Sequence, residues 1–106
     1  YLRMRIIENS YYNMKNNNDA LKILDDFNQI QIDINDNNKM LKIKSRVYEF
    51  LNIEDEMYFY LSKIAFNNGN KSLALEYLNL SMEKSKNKEL IKKIKKLKEK
   101  NNEKEN

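Results

Sequence analysis

The sequence predicts an all-α fold of about six helices. Pro is absent and Gly occurs once in 106 residues, whereas folds built on strands and loops draw heavily on both. Apolar residues recur at helical spacing, as Leu21, Leu24, Phe27 and Ile30 do at successive i, i+3 steps. The stretches between are short and Asn-rich. Asn competes for backbone groups and tolerates the left-handed conformation, so it caps and turns helices.

The first helix is expected at about 1–14 and is closed by Asn16-Asn17-Asn18. The second, at about 18–33, carries the Leu21 to Ile30 stripe. Ile30, Ile32 and Ile34 alternate with polar residues, which reads either as the frayed end of this helix or as a short strand with no partner strand. After Asn35-Asp36-Asn37-Asn38, a third helix at about 37–51 presents Met40, Val47 and Leu51, with Leu41 and Tyr48 beside them. The fourth, at about 55–68 with Asp55 near its N-cap, is apolar on nearly every side through Met57, Tyr58, Phe59, Tyr60, Leu61, Ile64, Ala65 and Phe66. Such a helix must be covered on both flanks, which places it at the centre of the stack. Gly69 marks the next turn. A fifth helix at about 71–85 closes on Glu83 and Lys84, and a sixth at about 87–103 starts near Asn87.

Length and composition bound the rest. The chain is long enough for one small domain, expected over residues 1–100 with a disordered tail at 101–106. Asn occurs 18 times beside many Lys and Ile, a bias that an AT-rich genome encodes. That points to a low-GC bacterium or its phage, or to an AT-rich parasite. There is no Cys, hence no disulfide framework and no thiolate chemistry. No apolar run approaches the ~20 residues of a membrane span, and no signal peptide is evident, so a cytoplasmic location is expected. The chain opens at Tyr1 without Met, which predicts a piece of a longer protein. Residues 1–56 carry 8 basic and 10 acidic side chains, and residues 57–106 carry 12 and 6.

The segment around Gly69 resembles a tetratricopeptide repeat. Tyr58 stands at that pattern's first aromatic, Leu61 at its Leu and Ser62 at its small residue. Gly69 sits at the turn, Ala74 at the helix crossing, and Leu78 and Ser81 at later contacts. Small residues let two antiparallel helices approach, and aromatics fill the gaps that remain. A weaker copy runs from Tyr11 and Tyr12 through Asp19-Ala20-Leu21 to Leu24. The two alanines are 54 residues apart, which is not a multiple of the 34-residue period. The third segment is then an inserted helix or a degenerate half-repeat, and Lys86 stands where the repeat usually ends in Pro. The resemblance implies antiparallel helix hairpins stacked as a short α-solenoid; a generic six-helix bundle is the alternative. More narrowly, the chain is similar to the C-terminal part of an intracellular peptide-pheromone receptor, a family whose concave face holds a short peptide and whose terminal repeats often mediate dimerisation.

Carried over through Tyr58, the resemblance places Glu56, Phe59, Lys63, Phe66 and Asn67 on the concave wall; through Ala20 it adds Arg5, Asn9, Tyr12 and Asn13. Asn both donates and accepts and so can clamp an extended peptide, Arg5 and Lys63 can meet carboxylates, and aromatic rings give rigid contact area. The competing view makes Tyr12, Phe59 and Phe66 core residues and the Asn residues codon bias. Nothing points to catalysis: His and Cys are both absent, and the carboxylates of Asp25-Asp26 and Glu54-Asp55-Glu56 are neighbours that face different ways on a helix. No cofactor is expected. Asp33 to Asn38 resembles the opening of an EF-hand loop, but Asn38 replaces its turn Gly and Lys44 its bidentate acid, so an interhelix turn is the better reading. Nine lysines between Lys84 and Lys100 surround a seam of Leu90, Ile91, Ile94 and Leu97. That pattern suits a terminal solenoid helix with one soluble face, or alternatively a nucleic-acid contact that lacks Arg and aromatics.

Overall fold

The computed structural model describes residues 2–30 and 33–103. The described residues form six helices: α1 (Leu2–Tyr12), α2 (Asn17–Gln29), α3 (Asn38–Phe50), α4 (Glu54–Asn67), α5 (Lys71–Lys84) and α6 (Lys88–Glu103). No strand occurs among the described residues. Asn16, Asn37 and Asn70 are N-caps of the same kind: each side-chain oxygen accepts the N–H three residues on, from Asp19, Met40 and Leu73. Asn87 does the same toward Glu89 and Leu90 before α6. Each cap satisfies an otherwise orphaned helix donor, a contribution of about 1 kcal/mol.

Helix α4 is the exception. Its N-cap is Ile53, with no side-chain cap bond. Asp55 lies inside the first turn, not at the cap, and accepts from its own neighbour Glu56. Glu54, Asp55 and Glu56 instead set three negative charges at the positive end of the helix dipole.

Two expected boundaries are corrected. Helix α2 stops at Gln29 because Ile30 turns extended, at φ −76° and ψ 127°. Ile32 lies outside the described residues, and Ile34 is outside any helix, packed against both hydrophobic cores. At the other end, α6 runs on through Glu103, so residues 101–103 are helical rather than part of a tail; residues 104–106 lie outside the described residues.

The turns after α3 and α4 share one geometry. Asn52 (φ 60°) and Gly69 (φ 78°) both take the left-handed conformation just past a helix end. Behind each, two N–H groups fold back: Asn52 to Glu49 and Ile53 to Tyr48 in one, Gly69 to Phe66 and Asn70 to Ala65 in the other. These are Schellman turns, which reverse the chain and satisfy orphan carbonyls. The result is an α3–α4–α5 trio in which α4 packs closely along both neighbours. Small residues permit that approach: Ser45, Ser62, Ala65, Ala74 and Ser81 are all buried. Ser81 also ties α5 to α4 by donating to the Asp55 carbonyl at 2.7 Å, and Lys84 pairs with Glu54 at 2.8 Å.

The core is double. Ile7, Ala20, Ile23 and Phe27 of α1 and α2 pack with Met40, Ile43 and Val47 of α3. Leu41 of α3 packs instead with Phe59, Tyr60, Leu78, Leu90 and Ile94 of α4, α5 and α6. Helix α3 therefore shows one stripe to each core, offset by one residue. The extents of 43 × 29 × 21 Å make the whole an elongated stack of helices.

Candidate functional site

One side of α4 faces away from the α5 hairpin. Glu56, Tyr60, Lys63 and Asn67 recur there at i, i+4, i+7 and i+11, with Phe59 and Phe66 flanking them. Opposite stands the edge of α6. Between the two lies an open hollow of about 220 Å³, walled by Lys63, Phe66 and Asn67 on α4, by Leu97, Lys100 and Asn101 on α6, and by Asn35 and Asp36 from the loop before α3.

Aromatic rings lie beneath the lysines of this face. Tyr60 stacks on Tyr48 of α3, centroids 5.7 Å apart and planes 5° from parallel, and meets Phe59 edge-on at 5.3 Å. Two lysine ammonium groups share the Tyr60 ring: Lys44 Nζ lies 4.7 Å from its centroid and Lys63 Nζ 5.6 Å. Lys44 also approaches Phe27 at 5.4 Å, and Lys63 approaches Phe59 at 4.9 Å. The ring quadrupole attracts each cation where water is partly excluded.

Charge on this face is crowded. Burial lowers the pKa of Lys44, Glu56 raises it in part, and Lys63 and Lys93 lower it further. Burial lowers that of Lys63, and Lys93 adds to the effect while Asp33 opposes it. Glu56 is raised above the usual carboxylate range by burial and by Asp55, with Lys93, Lys44 and Lys63 pulling the other way. Burial pushes the Tyr48 phenol up to about 12, with Glu56 and Asp55 adding to it. Tyr60 is raised as well, first by burial and then by Tyr48 and Glu56.

The loop before α3 is fixed to the end of α4 by amides. Asn67 Nδ2 donates to the Asn35 carbonyl at 2.7 Å and to Asn38 Oδ1 at 2.8 Å. Asn38 Nδ2 donates to Asn68 Oδ1 at 2.9 Å, and Lys63 Nζ to Asn35 Oδ1 at 2.7 Å. The turn itself is set by Asp33, whose carboxylate accepts the Asn35 N–H at 2.8 Å.

The nine residues expected on one wall separate into two groups. Lys63, Phe66 and Asn67 line the hollow, and Glu56 stands two turns back on the same side of α4, within electrostatic reach of Lys63. Phe59 does not line it: the ring is 3% exposed and belongs to the core, beneath Lys63. Asn67 lines it, but both amide hydrogens are spent on the loop. Arg5, Asn9, Tyr12 and Asn13 lie on and just past α1, exposed to solvent. Tyr12, 69% exposed, borders a separate hollow with Tyr11, Lys39, Lys42 and Arg46. Asn13 turns back to donate to the Asn9 carbonyl at 2.8 Å. Asn35 and Lys100 also line the hollow, and Lys44, Tyr48 and Lys93 stand close to Tyr60 and Lys63. The sequence placed Lys93 and Lys100 only within the basic stretch of the sixth helix, as a candidate nucleic-acid contact; their seven-residue spacing sets them on one edge of α6.

No family model, curated protein or solved structure matches the chain.

Proposed function

We propose that the protein is a non-enzymatic helical module that binds a peptide or a protein segment in the cleft between α4 and α6. The observation that supports this most is the inner side of α4, where an apolar ring (Phe66), a cation (Lys63) and an amide loop border one open hollow. A rigid scaffold with a few polar groups around an apolar contact suits an extended chain. The tetratricopeptide resemblance predicts the α4 part of this wall through Lys63, Phe66 and Asn67, and the small buried residues between α4 and α5 suit it. The narrower reading, the C-terminal part of a cytoplasmic peptide-sensing regulator, rests on that resemblance alone.

A labelled peptide library tests the reading by fluorescence anisotropy. Hits are expected to weaken on Phe66→Ala, which removes a cleft wall. Hits that are indifferent to Phe66→Ala, or no hits at all, overturn it.

A second reading is favoured by one feature. Lys88, Lys92 and Lys95 are exposed on the side of α6 that faces away from its buried Leu90 and Ile94. Such a face suits nucleic acid, and binding there falls steeply as salt rises. Duplex binding that collapses with salt and is lost on Lys92→Gln/Lys95→Gln would support it over the cleft.

A further inference from the structure

Lysines converge on the cleft from three helices: Lys44 from α3, Lys63 from α4, and Lys93 and Lys100 from α6. Lys63 and Lys100 line the same hollow. Lys93 precedes Lys100 by seven residues, two turns back along the same edge of α6, and its charge reaches both Lys44 and Lys63. Lys39 and Lys84, outside the cleft, do hold carboxylates, Glu8 at 2.7 Å and Glu54 at 2.8 Å. The four cleft lysines have no such ion pair among the described residues. Asp36 lines the hollow together with Lys63 and Lys100, and Asp33 and Glu56 stand within electrostatic reach of Lys63; the Asp33 carboxylate holds its own loop. The Lys63 ammonium donates to Asn35 Oδ1 at 2.7 Å, and the rings beneath Lys44 and Lys63 attract their charge without offering a strong acceptor.

The rings themselves are closed to nucleobases. Phe59 is buried, and Tyr60 is covered by Tyr48 and by two ammonium groups. The hollow, at about 220 Å³, is smaller than the ~300 Å³ at which small-molecule pockets begin. A side-chain carboxylate fits the available space, charge and donors together.

We infer that the cleft seats an acidic peptide segment, its Asp or Glu carboxylates held among Lys63, Lys93 and Lys100 beside the Phe66 ring. This rests on the peptide-binding reading above and adds the chemistry of the occupant. Glu56 marks one limit of the seat, since a second carboxylate beside it is repelled.

The probe is a fluorescein-labelled hexaglutamate peptide, with hexaglutamine as its neutral counterpart, followed by anisotropy at about 0.1 M salt. Hexaglutamate is expected to bind and hexaglutamine not. Lys63→Gln/Lys100→Gln is expected to weaken binding about tenfold or more, while Lys92→Gln/Lys95→Gln on the far side of α6 changes it less than about twofold. Lys100→Gln alone, at an exposed position, secures the result if the double variant loses its helical circular dichroism. Equal weakening by the outer pair overturns the inference, because attraction is then general. A neutral peptide that binds and is lost on Phe66→Ala overturns the acidic occupant and leaves the peptide-binding reading standing. Failure of every peptide overturns both.

Discussion

The halves of the molecule on either side of α3 use similar numbers of buried residues in different ways. The buried residues on the α1–α2 side are aliphatic and Met side chains with one Phe. The α4–α6 side buries Phe59 and Tyr60, sets lysines over their rings, and borders an open cleft. Backbone approach differs too. Left-handed residues reverse the chain tightly at Asn52 and Gly69 in the second half, whereas α1 and α2 are joined without one. Close hairpins and buried aromatic rings make a wall that can receive something; the aliphatic half supplies a foundation.

Truncating the second core is expected to have the largest effect. Leu78→Ala removes a fully buried side chain and should cost about 2–5 kcal/mol in urea unfolding. A loss below about 1 kcal/mol would mean that this core is loosely packed. Next is overpacking at the α4–α5 crossing. Ala74 is 0% exposed, so Ala74→Leu should cost about 1–3 kcal/mol, and an unchanged urea midpoint would refute the close approach. The two turns then separate by residue type. A Cβ at Gly69 meets nothing within 4 Å, so Gly69→Ala should cost only the left-handed backbone strain, about 1 kcal/mol. Asn52→Gly, at a matching φ, should change stability by less than that.

The smallest effects are electrostatic and depend on pH. Tyr48 titrates near 12 when folded against an ordinary value of about 10. Folding therefore favours its neutral form, and that contribution is complete below about pH 10 and lost as pH rises toward 12. Tyr48→Phe should flatten the alkaline fall in melting temperature across that window. Glu56 is raised as well, by burial first and then by Asp55, so folding carries a cost for its ionised form that is present above the ordinary glutamate range. Glu56→Gln should raise the melting temperature slightly at pH 7, an advantage that fades as the pH falls to the ordinary glutamate value.

Much of the fold was legible because its signals are local. Asn16, Asn37, Asn70 and Asn87 each precede a helix and cap it, and Gly69 sits where only a left-handed residue turns the chain easily. The α2 end was misjudged because Ile30 continues the i, i+3 stripe, and periodicity says nothing of where the backbone turns extended. The α4 side of the cleft was legible from one helix face. The α1 residues were transferred by aligning Ala20 with Ala74, both buried at 0%, but a shared packing role in separate cores does not make a shared wall. Lys44, Lys93 and Lys100 were hidden among 20 basic residues, since their meeting depends on how three helices pack. The amide bonds joining Asn35 and Asn38 to Asn67 were hidden for the same reason, under a composition that reads as codon bias.

Helix α3 gives Met40, Ile43 and Val47 to one core and Leu41 to the other. Neither half can melt without stripping a face from the helix that the other half needs. Thermal unfolding should then be a single concerted transition instead of the stepwise fraying common in repeat arrays, with α3 amides among the slowest to exchange with deuterium.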